Sequence, residues 1–238
     1  MTNEVTKPVF GGNVAMPSSA NLAAALKQSA SKNPRSGPGE GTDYLNFSGK
    51  RGLYSYGADQ TPLEGGREFI PNIAAFEDGW VCWKGGRPVA TRLSNMMDGG
   101  APSPDFDEFA PFDAGNGEGW FAAKSMMLKD VGNGQQFYFK INSVSGVSAI
   151  AALIDMIADR AGRGEAAWPV ITLDMEQFTA KGHKNFKPRF DVSGWLDDEN
   201  VAKVFEEGSD LDDLLAASEV TEAEPVDEAP TRRRRKAV

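Results

Sequence analysis

One long stretch of this chain repeats apolar residues at helical spacing, and a single principal helix limits the folds open to it. In SGVSAIAALIDMIADRAGRG, residues 145–164, Val147, Ile150, Ile154, Ile157 and Ala161 recur three and four apart. Ser145 suits an N-cap, and Gly162 or Gly164 suits the end. Around this helix lie short alternating pieces punctuated by turns, in keeping with 26 Gly and 14 Pro. A helical bundle is therefore excluded, and the lone helix must pack on sheet. YLNFSGKRGLYSYG reads as a hairpin turning near Ser48-Gly49. Residues 67–93 read as two strands about Glu77-Asp78-Gly79, with a second turn at Gly85-Gly86. Residues 95–119, rich in Gly, Pro and acids, read as a long exposed loop. GQQFYFKIN then gives a strand with Phe137 and Phe139 on one face, and Tyr138 and Lys140 on the other. WPVITLDM (168–175) and PRFDVSGW (188–195) give two more strands, joined by a basic loop.

That order predicts a mainly β fold with one principal helix, an OB-fold-like barrel with extra strands. A five-stranded OB barrel carries its helix between the third and fourth strands, and its loop between the fourth and fifth helps line the ligand groove. Here that loop is the basic segment. A generic β-sandwich or an α+β domain is the competing architecture.

The net charge of −9 is unevenly spread. Residues 45–196 hold 15 Lys/Arg against 18 Asp/Glu, whereas 197–230 hold 13 acids and only Lys203. The last eight residues, TRRRRKAV, carry +5. The expected organisation is a flexible N-terminal segment over 1–43, an OB-like domain over 44–196, and an acidic disordered tail over 197–238 ending in a basic cluster. A single cysteine, Cys82, excludes an internal disulfide framework. With one histidine beside it, a Cys/His zinc site lacks ligands. No signal peptide and no membrane span are read, so the expected location is a bacterial host cytoplasm.

Lys181 to Arg189 packs Lys181, Lys184, Lys187, Arg189 and the only histidine, His183, into nine positions. Such cations neutralise phosphates and release counterions. Phe178, Phe186 and His183 offer ring faces on which unpaired bases stack. The competing account has the lysines solvating an exposed hairpin while Phe186 packs inward. The same pairing of ring and cation recurs at Trp80 and Trp83 with Lys84 and Arg87, at Tyr54 and Tyr56 near Lys50 and Arg51, and at Tyr138 with Lys140. Alternation lets only one of Trp80 and Trp83 face the core. The expected nucleic-acid-binding set is Lys181, His183, Lys184, Phe186, Lys187, Arg189, Trp83, Lys84, Tyr138, Lys140 and Tyr54.

Catalytic signals are weak. HExxH, GxSxG, GxxxxGK[ST] and CxxC patterns are absent from the sequence. Asp105, Asp107, Glu108 and Asp113 lack EF-hand spacing, and a solvated loop is the reading preferred for them. The expectation is a non-enzyme with no cofactor and no metal.

WPVITLDMEQFTAKGHKNFKPRFDVSGW and GWVCWKGGRPV resemble segments of a group of bacteriophage and prophage proteins, through Pro188, Phe190, Val192 and Trp195 among others. The plan of OB-like core and acidic tail is similar to that of phage single-stranded DNA-binding proteins of replication and recombination. The resemblance implies non-catalytic binding of single-stranded DNA with low sequence specificity, and contacts with replication or recombination proteins through the tail. The RRRRKAV ending departs from that plan, because the usual tail is acidic to its end. The alternative is a protein-interaction or inhibitor module using the tail or the 95–119 loop; a virion component and an enzyme follow. A homo-oligomer is left open.

Overall fold

The computed structural model describes residues 41–180 and 182–206. Ten strands form one mixed, open sheet: β1 (Thr42–Ser48), β2 (Leu53–Tyr56), β3 (Thr61–Pro62), β4 (Glu68–Pro71), β5 (Glu77–Lys84), β6 (Arg87–Asn95), β7 (Gly119–Asp130), β8 (Gln136–Ile141), β9 (Trp168–Ala180) and β10 (His183–Leu196). Among the described residues two α-helices accompany them, α1 (Val144–Arg163) and α2 (Asp198–Glu206). The strand order is β10-β9-β4-β7-β8-β1-β2-β3, and β5 pairs with β7 and carries β6. Among the described strand pairs only β1 with β8 runs parallel. Among the described residues no helix is long and apolar enough to cross a membrane.

Alternation in the strands sets the faces. Phe137 and Phe139 of β8 point into the main core with Met126 and Leu128 of β7, and all four are fully buried. Each such side chain contributes about 1.5–3 kcal/mol by leaving water. Helix α1 places Ile150, Leu153, Ile154 and Ile157 in the same core. Its N-cap is Ser143, two residues before the expected Ser145, and the Ser143 hydroxyl accepts from the Gly146 backbone N–H at 3.2 Å. Gly146 is required where the helix start crosses β8, because a Cβ there would lie 2.1 Å from Ile141 Cδ1. Gly164 ends the helix in the left-handed region, as the sequence allows.

Several expectations are corrected. Glu77-Asp78-Gly79 is no turn: β5 runs unbroken through it, paired on both sides; the first break falls earlier, at the 3-10 turn Ile73–Ala75, and the second is at Gly85-Gly86 as expected. The segment 178–189 is no loop but the outer part of a long hairpin, because cross-strand pairing continues to Ala180↔His183. The acidic tail does not start at 197. Residues 198–206 fold as α2, where Val201 and Val204 are buried in the main core and Trp168 Nε1 donates to Asp198 Oδ1 at 2.8 Å. The domain thus continues past 196, since those apolar residues find a core to cover. The rest of the expected tail, from 207 on, and the N-terminal segment through 40 lie outside the described residues.

Candidate nucleic-acid interface

Strands β9 and β10 extend as a two-stranded arm paired out to Ala180 and His183, with Gly182 at φ +77°. On its outer face opposite charges sit directly across from one another. Lys187 Nζ lies 2.9 Å from Glu176 Oε1, and Arg189 lies 2.5 Å from Asp174 and 2.8 Å from Asp191. The Asp191 hydrogen bond, followed by Asp191's charge, raises the Arg189 pKa further. These two cations, expected at phosphates, are therefore already neutralised by strand neighbours. Cross-strand partners cannot be read from the basic residues alone.

The tip is different. His183 and Lys184 are exposed there, and Lys181 lies outside the described residues. Beside them comes a segment distant in sequence, the β1–β2 turn, Ser48–Gly52. The Phe186 backbone N–H donates to the Gly49 carbonyl at 2.8 Å, and the Phe186 ring packs on Gly52. Gly52 is at φ +65°, and a Cβ there would lie 2.3 Å from Met175 Sδ and 2.7 Å from the Phe186 ring. The docked turn carries Lys50 and Arg51, both exposed. Lys50, Arg51 and Lys184 make no side-chain hydrogen bond or ion pair with a described residue. The half-buried Phe186 fastens turn to arm, so its role as an open stacking ring is corrected: one face is occupied.

The remaining expected residues are not brought to this tip. Tyr54 is 7 % exposed, tilted against Phe47 and Phe139, and its hydroxyl donates to the Asp174 carbonyl at 3.0 Å. Burial, then the Asp174 charge, pushes its pKa up. It is a core residue. Tyr138 is 5 % exposed, donating to Glu77 Oε2 at 2.8 Å while Ser125 Oγ donates to the same oxygen at 2.6 Å. Burial is again the first cause of its raised pKa, with the Glu77 charge second. Its neighbour Lys140 is exposed, and desolvation against the sheet lowers its pKa, Glu77 opposing. The accessible ring here is Tyr44, 46 % exposed and edge-on to Tyr138 at 5.6 Å. Sequence reasoning missed it because it reaches β8 through the parallel β1–β8 pairing, Tyr44↔Tyr138.

Trp83 and Lys84 form a separate neighbourhood. Trp83 follows a bulge after Cys82 and packs on the small cluster of Val81, Leu93 and Ala123. Lys84 Nζ donates to the Phe109 carbonyl at 2.6 Å. The 95–119 segment, expected as a long exposed loop, is exposed over most of 102–117 but is also tied at several points to the β5–β6–β7 face. Phe106 meets Trp80 edge-on at 5.3 Å, Phe109 is tilted on Trp120 at 6.2 Å, and Glu108 pairs with Arg92 at 2.5 Å. Glu118 accepts from the backbone N–H of Asp113 and of Gly85, which lowers its pKa. Burial raises the Cys82 thiol, so it is not a poised nucleophile. Among the described residues no group of three or more His, Cys, Asp or Glu is arranged to hold a metal ion.

Comparison with family models, with curated proteins and with solved structures finds no match for this chain.

Proposed function

We propose that the chain is a non-catalytic single-stranded DNA-binding protein of the bacteriophage type, acting in the host cytoplasm in DNA replication or recombination, with proteins of those processes as partners. The observation that carries this reading is the docking of the Lys50–Arg51 turn onto the β9–β10 arm beside His183 and Lys184. Four exposed basic or titratable side chains from two distant segments share one projection, with no carboxylate among the described residues paired to the lysines or the arginine. Such a projection tracks a phosphate backbone, and its strength falls with salt.

The topology supports an OB-like assignment. Counting β4, β7, β8, β9 and β10 as the five strands, α1 falls between the third and fourth, and the arm joins the fourth and fifth. Hairpin β1–β2 is then an addition at the β8 edge, reaching the arm through Gly49 and Phe186. The site differs from the one expected from sequence: it uses Lys50 and Arg51 in place of Lys187 and Arg189, and Tyr138 and Tyr54 offer it no open ring.

Titration of fluorescent oligo-dT at two salt concentrations tests the reading. Binding is expected at low salt, with a log–log slope of roughly −2 to −3, at about 0.7 per phosphate contact for three or four contacts. Absence of binding at low salt, or salt-independent binding, contradicts it. A protein-interaction module is favoured in that case, because Phe106 and Phe109 stand 52 % and 40 % exposed among acids.

A further inference from the structure

The segment Asp105-Phe106-Asp107-Glu108-Phe109 alternates carboxylates with rings, the same order of charge and flat surface that a single strand presents as phosphate and base. It lies on a surface built from the complementary parts. Trp80 and Trp120 stand on one face of β5 and β7, and Arg92 of β6 is directly opposite Trp80 on that face. The Arg92 guanidinium is 5.1 Å from the Trp120 ring centre, and Lys84 projects at the same rim. Three of its five residues use these groups, while Asp105 accepts from the Asp107 N–H within the segment. Phe106 contacts Trp80, Phe109 contacts Trp120, Glu108 binds Arg92, and the Phe109 carbonyl takes Lys84. The cover is thin. Both phenylalanines are exposed, the Arg92–Glu108 pair is about one-third exposed on each side, and residues 102–112 form no regular secondary structure. The Trp120 indole N–H is buried without an acceptor among the described residues, so the segment leaves a donor unused.

We infer that residues 105–109 act as a built-in mimic of single-stranded DNA, occupying a second strand-binding surface of Trp80, Trp120, Arg92 and Lys84 from which an incoming strand displaces them. The inference rests on the DNA-binding reading and deepens it, because it adds a site away from the arm and a device that holds it closed. An exposed ion pair and edge-on rings are cheap to break. An unpaired base stacking on a freed tryptophan gains more than they held. While the segment is in place, the apparent affinity is lowered by the fraction of molecules that are open.

The test compares the full chain with Phe106→Ala/Glu108→Gln, and with Glu108→Gln alone as a variant that leaves the rings intact. Oligo-dT binding is read by fluorescence anisotropy and by quenching of tryptophan emission. The double variant is expected to bind roughly 5- to 20-fold tighter than the full chain, with deeper quenching, and Glu108→Gln to fall between. Oligo-dT should also speed chymotryptic cleavage after Phe109 in the unaltered chain. If the unaltered chain binds but the variants gain nothing and cleavage is unchanged, the mimic is refuted while the arm reading stands. If none of the three binds oligo-dT, both readings fail. A double variant that binds a peptide of residues 103–113 but not oligo-dT assigns the surface to an acidic aromatic peptide and also overturns the inference.

Discussion

Reversing Lys50, Arg51 and Lys184 to glutamate together is expected to weaken oligo-dT binding by roughly 100-fold or more at low salt, and to flatten the salt slope by about 2, at about 0.7 per contact. The size follows from the absence of internal partners. None of the three is ion-paired among the described residues, so all of their charge is available to phosphate. Reversing Lys187 and Arg189 is the matched control. Those residues hold Glu176, Asp174 and Asp191 across the arm, so glutamate there places like charges face to face. The expected result for the control is a loss of stability before a loss of specific affinity. Equal effects of the two sets on affinity, with the fold intact by circular dichroism, would move the site along the arm.

Gly52→Ala is expected to cost about 2–5 kcal/mol, the sum of a left-handed non-glycine residue and an overpacked contact. The new methyl has two obstacles, Met175 Sδ at 2.3 Å and the Phe186 ring at 2.7 Å, both belonging to the arm. Relief requires the β1–β2 turn to lift from the arm, breaking the Phe186 N–H to Gly49 bond. Lys50 and Arg51 then leave Lys184 without any charge being altered. Affinity should therefore fall several-fold in molecules that remain folded, alongside a lower denaturant midpoint. A variant with lowered stability but unchanged affinity would show that the two segments need not touch to bind.

The parts of this fold legible in the sequence are those governed by period and by local chemistry. Phe137 and Phe139 alternate into the core as their strand dictates, and α1 carries its apolar stripe and its Gly164 end. What was illegible is pairing between distant segments. Tyr54 and Tyr138 look like surface rings beside cations, yet each is buried and its hydroxyl has an acceptor, Asp174 O and Glu77 Oε2, supplied by another strand. Lys187 and Arg189 look free because Glu176 and Asp174 come opposite them only in the register of a long hairpin. The same blindness hid Lys50 and Arg51 as members of the site, since only the contact between Gly49 and Phe186 places them there. Helix α2 was masked by its acids, which outnumber the two valines, Val201 and Val204, that anchor it.

Ultraviolet cross-linking of oligo-dT to the full chain, with the attached peptides mapped by mass spectrometry, addresses the joined arm and turn without altering any residue. Attachment to both the Gly49–Gly52 turn and the Gly182–Phe186 stretch, suppressed together as salt rises, is the expected result. Attachment confined to one of the two, or to neither, would contradict a single projection assembled from them.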